Sequence, residues 1–137
     1  MAIHRILIVD DSPTERYYLT DILVRNGFSV SVAENGEEAL VKIKADKPQL
    51  ILMDVVMPGA NGFQVTRSIA RDPDLQDVPV IICSSKNQET DRIWGMRQGA
   101  RDYLVKPVDA ADLLAKIAAL DVQTGNAGQA PGPAGQD

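Results

Sequence analysis

Cysteine is all but missing: Cys83 is the only one in 137 residues, which excludes an internal disulfide framework and a thiolate zinc cluster. It stands in an apolar run and reads as a small buried hydrophobe rather than a reactive thiol. Histidine is equally scarce, and the single His4 reads as a solvated residue ahead of the first strand. No apolar run approaches bilayer length; Ile6 to Val9 and Leu50 to Met53 are far too short. The N-terminus lacks the basic, long-apolar, small-residue pattern of a signal peptide. These absences lead to the expectation of a cytoplasmic protein without a membrane partner. No basic stripe recurs at helical spacing, and the net charge is −5. A duplex-DNA surface, which draws most of its affinity from lysine and arginine, is not expected.

What is present is ordinary for a folded chain. An apolar fraction of 45% is too high for disorder throughout, and the length allows one domain with a real core. Strand-length apolar runs alternate with stretches of helical period. Arg5 to Asp10 reads as a buried strand. Thr14 to Asn26 reads as a helix that turns Tyr18, Leu19, Ile22 and Leu23 to one side, with Gly27 as its stop. Ser29 to Ala33 alternates as a strand, and Asn35-Gly36 turns into a helix bearing Ala39, Leu40 and Ile43. Leu50 to Met53 is a continuous apolar strand that ends at Asp54. Met57 to Gly62 is a loop, with Pro58, Gly59, Asn61 and Gly62 as its punctuation.

A helix from about Phe63 to Arg71, a strand Val80 to Cys83, a helix near Gln88 to Gln98 and a strand Asp102 to Val105 follow. The last helix starts near Asp109, a suitable N-cap, and carries Leu113, Leu114, Ile117 and Leu120 inward. Five strand–helix units with strands apolar on both faces predict an α/β fold, a doubly wound parallel sheet with helices on both sides. Of the common strand orders, 2-1-3-4-5 suits five strands best. Residues 1–122 form this domain, and 123–137 turn to Gly, Ala, Pro and Gln, the composition of a flexible tail.

Open parallel sheets hold ligands at the carboxyl ends of their strands, near the point where strand order reverses. Strand one ends in Asp10-Asp11, strand three in Asp54, strand four in Ser84 and strand five in Lys106. In the expected order, strands one and three are neighbours, so three carboxylates share a small cleft. Like charges that close do not all ionise cheaply without a counter-charge. A hard divalent cation with oxygen ligands answers this, and Mg²⁺ keeps several waters and takes a phosphate oxygen as well. Ser84 can hydrogen-bond a phosphoryl oxygen and Lys106 can neutralise another. Singly, each residue has a plain explanation: Asp10-Asp11 as a helix cap, Asp54 as a loop acid, Lys106-Pro107 as a strand stop. Together at one sheet edge they are parts for phosphoryl transfer.

The runs "ILIVDDS", "LILMDVVMPGANGF", "VPVIICSS" and "GARDYLVKPVD" resemble the receiver domain of two-component systems, of chemotaxis (CheY-like) type, over about Arg5 to Leu120. The resemblance implies that Asp54 accepts a phosphoryl group from a histidine kinase or histidine phosphotransfer domain. It implies direct Mg²⁺ contacts from Asp11, Asp54 and the backbone carbonyl of Val56, with Asp10 acting mostly through water. Lys106 is then the phosphoryl contact, with a cis bond to Pro107. Ser84 and Tyr103 stand at the family's two switch positions, and Tyr103 turns inward on phosphorylation. Val56 and Lys86 stand where the family tunes the lifetime of the phosphorylated state. Such receivers act as monomers and are switches, not enzymes; they catalyse only their own phosphorylation and dephosphorylation. The stretch "KNQETDRIWGMRQGARDYLVKPVD" resembles the branch that controls twitching motility by type IV pili, with Trp94 as its marker. Output then comes through contact with another protein, or the domain drains phosphoryl groups from a shared kinase.

Two competing readings fit less well. A Mg²⁺-dependent aspartyl-phosphate phosphohydrolase of haloacid dehalogenase type carries Asp-x-Asp after strand one, whereas here the acids are adjacent and the nucleophile follows strand three. A flavodoxin-type electron carrier needs a hydroxyl- and glycine-rich loop after strand one, where Asp10-Asp11 repels phosphate.

Overall fold

The computed structural model describes residues 2–59 and 61–127. Ten elements alternate along it: β1 (Arg5–Val9), α1 (Pro13–Arg25), β2 (Ser29–Ala33), α2 (Gly36–Ala45), β3 (Leu50–Met53), α3 (Gly62–Arg71), β4 (Val80–Ser84), α4 (Glu89–Arg97), β5 (Asp102–Val105) and α5 (Ala110–Ala127). All the strand pairs are parallel, in the order β2-β1-β3-β4-β5. This is the expected doubly wound architecture, with the order reversing between β1 and β3.

The period of two in the strands sorts their side chains into two cores. Leu7, Val9, Ile51, Met53, Ile82 and Tyr103 face one side, where Ala39 and Ile43 of α2 and Val65 and Ile69 of α3 cover them. Ile6, Ile8, Leu50, Leu52, Ile81 and Leu104 face the other, under Leu19 and Leu23 of α1 and Leu113, Ile117 and Leu120 of α5. Cys83 belongs to this second core, and burial pushes its thiol up to about 12. Edge strand β2 leaves Ser29 and Ser31 exposed, which accounts for its clean alternation.

Local signals set the helix starts. Ser12, Asn35 and Asn61 each accept a hydrogen bond from the backbone N–H three residues on, as N-caps do. Asp109 does the same for Asp112 at the start of α5. Gly27, after α1, has a φ of 90°, a left-handed turn that glycine adopts without strain.

Three details depart from the expectations. Tyr18 is 40% exposed rather than inward; its hydroxyl donates to the carbonyl of Val108 at 2.6 Å, keeping the polar tip at the surface. Leu114 is only half-buried beside the buried Leu113. Helix α5 continues to Ala127, five residues into the stretch whose composition suggested a tail. The remainder of that stretch, 128–137, lies outside the described residues. No helix among the described residues is long and apolar enough to cross a membrane.

Candidate functional site

Backbone pairing fixes the acids at the sheet's carboxyl edge. The N–H of Asp54 donates to the carbonyl of Val9 at 2.8 Å, and that of Asp10 to Ala33 at 3.0 Å, so the ladder continues one residue past each strand. Asp10 and Asp54 are 1% and 7% exposed, while Asp11 is exposed. Carboxylate oxygens of all three lie within 4.8 Å of one another. From β5, Lys106 reaches across: its Nζ donates to Asp10 Oδ2 at 2.8 Å and to Asp54 Oδ1 at 3.1 Å. The N–H of Lys106 is itself held by the carbonyl of Ser84 at 2.9 Å. The Lys106–Pro107 bond is cis, as the resemblance implies.

The electrostatics follow from this crowding. Burial raises the Asp54 carboxyl above the usual range, and the charge of Asp10 adds to it; Lys106 offsets only part. Burial alone lowers the Lys106 ammonium, but its bonds and attractions to Asp10 and Asp54 outweigh that and hold it high. One cation therefore faces three carboxylates, and Asp11 has no ion-pair partner among the described residues. An all-oxygen donor set with surplus negative charge fits Mg²⁺, a hard cation of just that preference. A side of this cluster is ready for a metal, and another carries the ammonium.

Ser84 is buried as the last residue of β4, and its Oγ accepts from the N–H of Lys86 at 3.1 Å. Tyr103 is 2% exposed, with its hydroxyl donating to the carbonyl of Lys86 at 2.8 Å. The tyrosine thus has the inward arrangement, which the resemblance associates with phosphorylation, and burial raises its phenol. Both switch side chains grip the backbone of one residue, Lys86, in the β4–α4 loop: Ser84 at its N–H and Tyr103 at its carbonyl. The side chains of Val56 and Lys86 are exposed, each two residues past a site residue.

Three residues at the site escaped the sequence reading. Gly62, taken as loop punctuation, is the first residue of α3, and its N–H donates to the carbonyl of Val55 at 2.8 Å. A Cβ there would stand 1.9 Å from the carbonyl oxygen of Asp54, so only glycine fits over the acceptor's backbone. Thr66 holds this first turn by donating to the carbonyl of Gly62 at 2.8 Å. Arg16 donates to the carbonyl of Asp10 at 2.8 Å, pinning the turn that presents the paired acids. The roles of Gly62 and Arg16 follow no recognisable motif, because each is a contact to backbone several residues earlier that only the intervening turn brings close.

The model of the response regulator receiver domain matches residues 6–118. The chain belongs to this family. The receiver is 55% identical to Protein PilH of Pseudomonas aeruginosa over 116 residues, which are 85% of this chain and 96% of PilH. It is 39% identical to the response regulator PleD of Caulobacter vibrioides over 85% of this chain, but spans only 26% of PleD. Among solved structures, chemotaxis protein CheY4 of Vibrio cholerae matches with a TM-score of 0.80 at 28% identity, covering 86% of this chain and 98% of that one. A CheY-like receiver of Methanospirillum hungatei gives 0.83 at 26% identity, covering 91% and 98%. Receiver domains are signalling switches, so the family carries a phosphorelay role with it. The expected family, the fold and the strand order are those found.

Proposed function

We propose that this receiver takes a phosphoryl group onto Asp54 from a histidine kinase or histidine phosphotransfer domain, with Mg²⁺ as cofactor, in the control of type IV pilus twitching motility. The observation that carries the reading is the cluster in which Asp54 shares Lys106 with Asp10 while Asp11, with no ion pair among the described residues, stands beside them. The likeness to PilH supports the pathway, together with the α4 segment around Trp94. Output would pass by contact with another protein.

In the transfer, an Asp54 carboxylate oxygen attacks the phosphorus of a phosphohistidine. The new O–P bond forms as the P–N bond breaks, and the imidazole leaves with the electron pair. The product is an acyl phosphate on Asp54. Lys106 follows the charge, exchanging an aspartate oxygen for a phosphoryl oxygen, which such transfer needs more than covalent help. Asp11, Asp54 and the backbone carbonyl of Val56 would hold Mg²⁺, with Asp10 acting mostly through water, and the ion would supply a counter-charge for the phosphoryl oxygens. Ser84, released from the N–H of Lys86, is the hydroxyl for another phosphoryl oxygen and so conveys the change to the loop that Tyr103 also holds.

Asp54→Asn tests the acceptor. Asn keeps the size and loses the nucleophilic charge, so labelling by a phosphorylated kinase or by acetyl phosphate should vanish. Unfolding does not confuse the result, because the sign of the Asp54 shift favours the variant. A carboxyl raised by folding contributes stability below its unfolded range and loses it as pH rises through the folded value. In EDTA at neutral pH, the ionised Asp54 is a cost that Asn removes, and the variant should melt higher than wild type. Undiminished labelling of the folded variant would remove Asp54 from the role.

A further inference from the structure

A second concave site lies between the last turns of α3 and α4, away from the carboxylates. Helix α3 begins over Asp54 and reaches Arg71 nine residues later, about 13 Å further on at 1.5 Å per residue. There Arg67, Arg71, Trp94, Arg97 and Gln98 line a groove of about 290 Å³. Its floor is tight: Gly99 has a φ of 108°, and a Cβ on it would stand 2.6 Å from the Cβ of Ala70. No aspartate or glutamate lines the groove. Elsewhere in the fold seven cations are held in ion pairs, yet none of these three arginines is, among the described residues. Arg71 and Arg97 suit the ends of their helices, where a cation meets the dipole. Arg67, mid-helix, has no such reason to be there.

Two further features give the groove more than charge. Trp94, the only tryptophan, leaves a 50% exposed indole face beside the guanidiniums. Gln98 is 8% exposed, and its side chain makes one long hydrogen bond, from Nε2 to the carbonyl of Trp94 at 3.4 Å. Its Oε1 accepts from no group among the described residues. That oxygen is not sealed from solvent, so a ligand in the groove can reach it.

We propose that this groove binds an adenine nucleotide carrying two or more phosphates. Each part of that ligand has a counterpart. Guanidinium forks match phosphate oxygens bidentately, and three of them suit a polyphosphate. The base stacks on an aromatic face such as the Trp94 indole. The exocyclic amine and ring nitrogen of adenine match the acceptor and donor of a glutamine amide, which Gln98 supplies. The groove shares no residue with the phosphoryl-acceptor site.

The single tryptophan makes the test direct. The indole N–H resonance of Trp94 would be followed by NMR while ATP is added to the full chain in EDTA, which removes any effect of metal at the carboxylates. A saturable shift is expected. Adenosine and inorganic tripolyphosphate should each bind at least about 10-fold more weakly, since each lacks half of the match. Arg67→Gln should weaken ATP by about 10-fold, the equivalent of one charge-assisted hydrogen bond, and Arg67 is exposed enough for the variant to fold. Lys44→Gln, an exposed cation on α2, should change nothing. No saturable shift, tripolyphosphate as tight as ATP, or equal weakening by Lys44→Gln would each overturn the proposal.

Discussion

Helices α4 and α5 flank the same strand, β5, yet are attached to the sheet in opposite ways. Helix α5 drives Leu113, Ile117 and Leu120 into the core and ties Lys116 to Asp102 of β5 at 3.1 Å. The only buried residue of α4 is Gly95, which contributes no side chain. Ile93, Trp94 and Met96 of α4 are 46%, 50% and 42% exposed. At Gly95, α4 rests on Ile82 of β4, the ring of Tyr103 of β5 and Phe63 of α3, and the Tyr103 hydroxyl reaches the loop ahead of the helix. A helix with a wide apolar stripe is fixed by its own burial, whereas one seated on a neighbour's ring can be repositioned by that ring. The contrast leaves α4, on the side where Ser84 and Tyr103 stand, the more loosely attached of the two helices.

The largest effect should come from the anchored side. Leu113→Ala empties a fully enclosed site and should cost about 2–5 kcal/mol in urea unfolding. Ile93→Ala on α4 removes a half-exposed side chain and should stay within about 0.5 kcal/mol. Comparable losses at the two positions would break the contrast.

A second consequence concerns how long the loose side stays switched. Val56 and Lys86 flank the acceptor region with exposed side chains. Val56 has no hydrogen-bonding group, and a charged Lys86 donates but does not accept, so neither positions an attacking water as a base. Self-dephosphorylation should therefore be slow. Val56→Asn with Lys86→Glu should speed it about 10-fold, the low end of what positioned proton-transfer groups contribute. Phosphate release timed after removal of the donor checks this; equal rates in wild type and double mutant would free the two side chains of the role.

What was legible in the sequence, and what was not, divides along the same physical line. Strands and their terminal acids could be read because a period of two and a strand end are local, and topology then brings Asp10, Asp54 and Lys106 together without further information. The roles of Gly62 and Arg16 could not, since each is a contact to nearby backbone whose geometry is set by the intervening turn and carries no pattern of its own. Gly62 needs Asp54 above it, and Arg16 needs the carbonyl of Asp10 a turn away. The length of α5 was hidden for a different reason. Gln123 to Ala127 includes Gly125, a poor helix former, but a helix already nucleated and docked extends at small cost per residue. The groove between α3 and α4 joins Arg67 and Arg97, thirty positions apart, through a glycine contact that only the fold creates.

The most discriminating effect is expected at Gly95. A Cβ there would lie 2.8 Å from Cδ1 of Ile82, 3.2 Å from Cδ2 of Tyr103 and 3.3 Å from Cε1 of Phe63. Two terms of opposite sign compete in Gly95→Ala. Alanine is favoured over glycine inside a helix by about 1 kcal/mol. Against that, extra volume in a packed site costs about 1–3 kcal/mol. Crowding from three sides lets the second term win, for a net loss of about 1 kcal/mol. The loss should fall unevenly: the methyl pushes on the Tyr103 ring that supports α4, while the contacts of α5 on the opposite face are untouched. Hydrogen exchange should therefore accelerate in α4 and the β4–α4 loop and stay unchanged in α5. Tyr103 ring signals should shift toward a more exposed environment. Uniform acceleration across both helices would mean that α4 is no more loosely held than α5, and that Gly95 merely packs the core.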